Sequence, residues 1–88
     1  TVDLLAATTD QELLMVAVAD KLDNIGSVRD DLALRGELTW KRFNRGRDQQ
    51  AWYYRALSGA FSRRMETGAG RRLARLFEEE VRLVFGDE

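Results

Sequence analysis

The sequence predicts an all-α fold, a small bundle of about four to five helices in a single domain over residues 1–88. Three observations carry that prediction. Apolar residues recur at helical spacing in several runs, no stretch alternates apolar and polar residues as a half-buried strand does, and glycines and cap-forming residues punctuate the runs. No proline or repeat interrupts them.

Val2, Leu4 and Leu5 form a short apolar lead-in of undetermined type that is expected to pack on the helices after it. Thr9, with Glu12 three residues on, has the form of a capping box and predicts a helix start near Asp10. The helix behind it carries Leu14, Val18, Leu22 and Ile25 on one face and Leu13, Val16 and Ala17 on another, which leaves a strip around Glu12, Ala19 and Asp23 for solvent. A helix apolar on two sides is expected to be sandwiched between others. Gly26 is expected to interrupt it, with Ser27 capping a short second helix to about Leu34, ended by Arg35 and Gly36.

Thr39 is expected to cap a helical turn that places Trp40 and Phe43 on one side, with Gly46 as the stop. Asp48 is then expected to cap a long helix over residues 49–65, with Trp52, Ala56 and Ala60 in one row and Tyr53, Leu57 and Phe61 in the next. Gly59 inside it suggests a close helix contact, because a mid-helix glycine otherwise costs about 1 kcal/mol relative to alanine. Gly68 and Gly70 mark the next break. The last helix, residues 71–85, is expected to bury Leu73, Leu76, Phe77, Val81 and Val84 and to carry the surface pairs Arg75 with Glu79 and Glu78 with Arg82.

Composition narrows the chemistry. The chain has no cysteine and no histidine, so it can form no disulfide or thiolate zinc site and lacks the usual general base near neutral pH. No apolar run is long enough to span a bilayer and no secretory leader is evident, so a cytoplasmic location is the expectation. The net charge of −1 hides an uneven distribution: residues 41–75 hold ten bases against two acids, and twelve of the fourteen bases in the chain are arginine. Arginine suits bidentate contact with phosphate or carboxylate. Either these side chains pair with the acidic ends of the same chain, or they meet an anionic partner.

Residues 17–24, A-V-A-D-K-L-D-N, place Asp20 and Asn24 one turn apart beside Leu13, Val16 and Ala17. Two groups that are expensive to bury thus stand where core residues are expected. They form either a structural pair or a metal-ligating or catalytic carboxylate with a substrate-orienting amide. Trp40, Phe43, Trp52 and Tyr53 are expected in helix contacts. Tyr54 and Arg55 fall away from the Ala56 and Ala60 row and are candidate substrate contacts. Arg71 and Arg72, at a helix N-terminus where the macrodipole opposes them, are candidate phosphate ligands.

The run E-L-L-M-V-A-V-A-D-K-L-D-N at residues 12–24, W-K-R-F-N-R-G at 40–46 and W-Y-Y-R-A-L at 52–57 resembles the C-terminal half of HD-domain metal-dependent phosphohydrolases. The closest branch is that of the guanosine polyphosphate (ppGpp) hydrolases. The resemblance covers residues 8–85. It implies an all-helical domain that binds one divalent metal, typically Mn²⁺, through a histidine, a His-Asp pair and a later aspartate, and activates water for attack on phosphorus. Asp20 matches the later aspartate and Asn24 the asparagine that contacts bound nucleotide. The remaining ligands belong to helices upstream of this motif in the family, so the chain is expected to be a partial HD domain, inactive and without tightly bound metal by itself. The family often has a lysine three residues before the metal aspartate, where this chain has Ala17.

On this reading the partners are a nucleotide or other phosphorylated small molecule in the complete domain, with neither nucleic acid nor membrane expected. The face of Leu13, Val16 and Ala17 would lack its cover and invite association with the missing half or with a second copy, giving a dimer. The alternative reading is a non-catalytic helical interaction module that binds an acidic partner or nucleic acid through its arginine-rich middle.

Overall fold

A computed structural model describes residues 2–42 and 46–86, the side chain of Arg42 excepted. It contains four α-helices, α1 (Val2–Ala7), α2 (Gln11–Arg35), α3 (Arg47–Arg64) and α4 (Gly68–Phe85), with a 3-10 helix (Gly36–Arg42) between α2 and α3. There is no strand among the described residues, and the all-α bundle expected from the sequence is the observed fold. No helix among the described residues is long and apolar enough to cross a membrane. Helix α4 packs on both α2 and α3, α1 lies on α3, and the 3-10 helix folds back on α2.

The core follows from the apolar spacing of these helices. Helix α4 buries Ala74, Phe77, Val81, Val84 and Phe85, α2 contributes Leu14, Val18, Ile25 and Val28, and α3 contributes Ala51, Tyr54, Leu57, Ala60 and Phe61. Phe77 meets the Phe61 ring edge-on at a centroid distance of 5.4 Å, and the Tyr54 ring lies 6.2 Å from Phe77 and 5.8 Å from Phe85. Trp40 closes the row at 5.6 Å from Phe85. Each such ring pair contributes about 0.5–1.5 kcal/mol beyond its area burial. The surface pair Arg29 with Glu80, at 2.7 Å between α2 and α4, adds about 0.2–1 kcal/mol.

Polar side chains close the helix ends. The Asp10 carboxylate accepts from the Leu13 N–H, and the Thr67 hydroxyl accepts from the Gly70 N–H. Gln11 reaches across the molecule: its amide nitrogen donates to the Arg64 carbonyl, and its oxygen accepts from the Glu66 N–H. Arg64 donates to the Ala6 carbonyl at the end of α1. Arg47 and Arg55 both donate to the Phe85 carbonyl, at 2.8 and 3.0 Å. That carbonyl has no partner within its own helix, and two cations there also meet the negative end of the α4 dipole.

Several local expectations need correction. Helix α2 runs unbroken through Gly26, and Ser27 caps nothing. A glycine costs a helix about 1 kcal/mol, whereas burial of Ile25 and Val28 on either side returns about 1.5–3 kcal/mol each, so packing decides. Helix α2 ends at Gly36, whose φ of 57° suits a residue without a side chain. Its N-cap is Asp10 rather than Thr9, a carboxylate being favoured at the positive end of the helix dipole. In α3, Gly46 occupies the cap and Asp48 lies in the first turn with its side chain in solvent.

The buried face of α3 centres on Tyr54, Leu57, Ser58 and Phe61, while Trp52 is 64% exposed. The phase is set by Tyr54, which must meet Phe77 and Phe85; two residues back along a helix is the opposite side. Gly59 makes no helix contact, since the nearest atom to an added Cβ would be Arg63 Nη1 of the same helix. Helix α4 begins at Gly68, takes in both expected breakers, and leaves Leu76 51% exposed. Thr39 lies buried inside the 3-10 helix rather than capping it. The expected facing of Phe43 with Trp40 lies outside the described residues.

Two glycines in helices should respond in opposite ways to alanine. A Cβ at Gly26 meets nothing within 4 Å, whereas one at Gly70 would lie 2.8 Å from both Met65 Sδ and the capping Thr67 Oγ1. Gly26→Ala should stabilise by about 1 kcal/mol, and Gly70→Ala should destabilise by about 1–2 kcal/mol through overpacking and a disturbed cap. Thermal denaturation should show melting temperatures displaced in opposite directions, by about 4–8 °C per kcal/mol in a domain of this size. A destabilised Gly26→Ala variant would contradict the account of α2 as an unstrained rod.

Candidate functional site

Helix α2 is covered on one side only. Its buried residues Leu14, Val18, Ile25 and Val28 face α3 and α4, while Leu13, Val16, Asp20 and Asn24 lie along a strip open to solvent. Val16 is 70% exposed. Met15 and Val16 on α2, with Thr67 and Ala69 at the start of α4, line a shallow apolar groove of about 550 Å³ beside this strip. Glu12, Ala19 and Asp23 are exposed as expected, and the strip extends the solvent-facing surface of α2 well past them.

The Asp20 side chain is 61% exposed, with Lys21 Nζ 3.4 Å from its Oδ2. Lys21 is half-buried and lies within electrostatic reach of the Tyr53 side chain on α3, and the Tyr53 ring meets Tyr54 edge-on at 5.4 Å. A string of contacts therefore leads from the exposed carboxylate into the core. The sequence marks Asp20 and Asn24; Lys21 and Tyr53 are functional candidates that sequence reasoning passes over. Lysine directly after the aspartate is visible in the motif, but pairing with a tyrosine some thirty positions on depends on the α2 and α3 packing.

Burial works against the charge on Lys21, yet Tyr53 and Asp20 outweigh it and raise its pKa above the ordinary 10.5. Tyr54 is raised above 10.0, first by burial and then by Tyr53, with Lys21 opposing and Asp20 adding a lesser push upward. Tyr54 is thus within electrostatic reach of the site, but at 6% exposure it is a core residue and not the substrate contact expected. Arg55 is likewise committed to the Phe85 carbonyl.

Asp20 and Asn24 share the strip as expected from their spacing. Among the described residues no three or more acidic, histidine or cysteine side chains gather to hold an ion, and Asp20 has Lys21, a cation, beside it. Arg71 and Arg72 part company. Arg71 lines a cleft with Arg63 and Arg75, its Nε 3.4 Å from the Met65 carbonyl, and Arg72 borders the adjoining shallow groove with Arg75, Leu76 and Glu79. Comparison with known proteins finds no protein family, curated protein or solved structure that matches the chain.

The raised pKa values of Lys21 and Tyr54 have a defined consequence for stability. Both groups hold their protons more tightly in the folded chain than in the unfolded one. Their contribution is complete below the unfolded values, near pH 10, and is lost as pH rises through the folded values. Denaturant midpoints should therefore show no loss from these groups near neutral pH and a decline above about pH 10, with a shallower decline in Tyr54→Phe. Equal alkaline slopes in the parent chain and in Tyr54→Phe would assign the loss elsewhere.

Proposed function

We propose that the chain forms the C-terminal part of an HD-type metal-dependent phosphohydrolase domain acting on nucleotide phosphates or pyrophosphates. Asp20 serves as one metal ligand and Asn24 as a substrate contact, in a site whose histidines come from another segment. The observation that carries this reading is the open strip on α2, where Asp20 and Asn24 stand in line with exposed Leu13 and Val16. A long helix that presents a carboxylate and an amide amid uncovered apolar side chains fits a partner surface that brings ligands with it. Lys21 balances the Asp20 charge until the site is complete.

The competing view, a non-catalytic module that binds an acidic partner or nucleic acid through the arginine-rich middle, draws less support. Arg47, Arg55 and Arg64, three of the ten bases in that segment, are tied to backbone carbonyls at helix ends and so have a structural use.

Two measurements test the proposal. Titration calorimetry of the 88-residue chain with Mn²⁺ should show no tight stoichiometric site, while the domain joined to a histidine-bearing segment should bind Mn²⁺ and hydrolyse a pyrophosphate-bearing nucleotide. Asp20→Ala should abolish that binding and turnover, and Asn24→Ala should lower kcat/KM by about 10- to 100-fold, the loss expected for a hydrogen bond to a charged group. Unchanged turnover in Asp20→Ala would sink the assignment. For the cover, Val16→Glu should weaken association with the complementary segment, or with a second copy in its absence, as followed by sedimentation; an unaltered association state would place the contact elsewhere.

A further inference from the structure

Arg47, Arg55 and Arg64 donate to carbonyls, Arg71 reaches the Met65 carbonyl at 3.4 Å, and Arg29 and Arg82 pair with Glu80 and Glu78. Arg63, Arg71 and Arg75 form no ion pair among the described residues. All three line one concavity of about 510 Å³, where the last turn of α3 meets the first two turns of α4, with the Arg63 guanidinium lying back along α3 beside Gly59. Its floor is apolar, made by the buried Met65 and Ala74, and Ser62 adds a hydroxyl at the edge.

Three arginines lining one cleft with a single carboxylate leave it with an excess of positive charge, and Arg71 adds the cost of facing the positive end of the α4 dipole. Glu66 is the single carboxylate among the described lining residues, and Glu79 lies beside Arg75 in the adjoining groove. The volume is that of a small-molecule pocket, about 300–1,000 Å³. A planar guanidinium fork matches the spacing of phosphoryl oxygens, and three arginines lining one cleft with a single carboxylate suit a dianion.

We infer that the cleft of Arg63, Arg71 and Arg75 binds a phosphorylated small molecule through a dianionic phosphoryl group. This site shares no lining residue with the open strip on α2 and goes beyond the reading of Asp20 and Asn24. The phosphoryl oxygens take the guanidinium donors, the Ser62 hydroxyl donates at the rim, and the rest of the ligand lies over Met65 and Ala74.

The test is a nitrogen-15 chemical-shift titration of the 88-residue chain with inorganic phosphate and with pyrophosphate, at fixed ionic strength in chloride buffer. Saturable shifts confined to residues 62–75 are expected, tighter for pyrophosphate. Arg71→Gln and Arg75→Gln should each weaken binding by about tenfold, the loss of one charge-assisted contact, and together should remove it. Both side chains are exposed, so circular dichroism should stay unchanged. Asp20→Ala should bind as the parent does, which keeps this result separate from the phosphohydrolase assignment. Shifts that rise linearly without saturation, or that spread equally to Arg29 and Arg82, would overturn the site. A ribonucleotide oligomer that binds the same cleft more tightly than pyrophosphate would reassign it to nucleic acid and also overturn the inference.

Discussion

The seating of Phe77 fixes the arrangement on which the other contacts depend. Fully buried on α4, it meets the edge of Phe61 and the ring of Tyr54, both on α3, and thereby holds α4 in the angle between α3 and α2. Once α4 occupies that angle, the side of α2 bearing Leu14, Val18, Ile25 and Val28 is covered and the opposite side is not. The aromatic packing of one helix pair thus determines which face of a third is presented to solvent. Asp20 and Asn24 are displayed because the core closes elsewhere.

Much of the architecture could be read from the sequence because burial periodicity is a strong signal in long helices. The run of Leu14, Val18 and Ile25, and that of Phe77, Val81 and Val84, lie on the core as spaced. What failed were inferences from single residues. Gly26 reads as a break by propensity, but buried side chains on both sides outweigh about 1 kcal/mol of backbone cost. Trp52 reads as core by size, yet the phase of α3 is set by ring contacts of Tyr54 with residues some 23–31 positions later, which no local pattern contains. The candidate site was legible in the same uneven way. The alignment of Asp20 with Asn24 follows from a four-residue spacing, whereas the tie between Lys21 and Tyr53 exists only after two helices pack.

The arginines illustrate how one residue type serves different needs. Where a helix ends without partners for its last carbonyls, a guanidinium supplies donors and a favourable charge, as Arg47 and Arg55 do for Phe85. Elsewhere the same group lines an open cleft and forms no ion pair among the described residues, as with Arg63 and Arg75. Composition shows a basic segment but not this division, since the difference lies in what each side chain reaches after folding.

Gln11 gives the fold a further property. Its amide spans the Arg64 carbonyl and the Glu66 N–H, so the turn between α3 and α4 is gripped by the first residue of α2. The helix is a rod of 25 residues, about 37 Å at 1.5 Å per residue, and it carries Asp20 nine positions beyond the grip. Any slide or rotation of this rod that accommodates a cover on its open strip would pull on the turn that spaces Arg63 from Arg71. The two surfaces share no residue, but they share a lever.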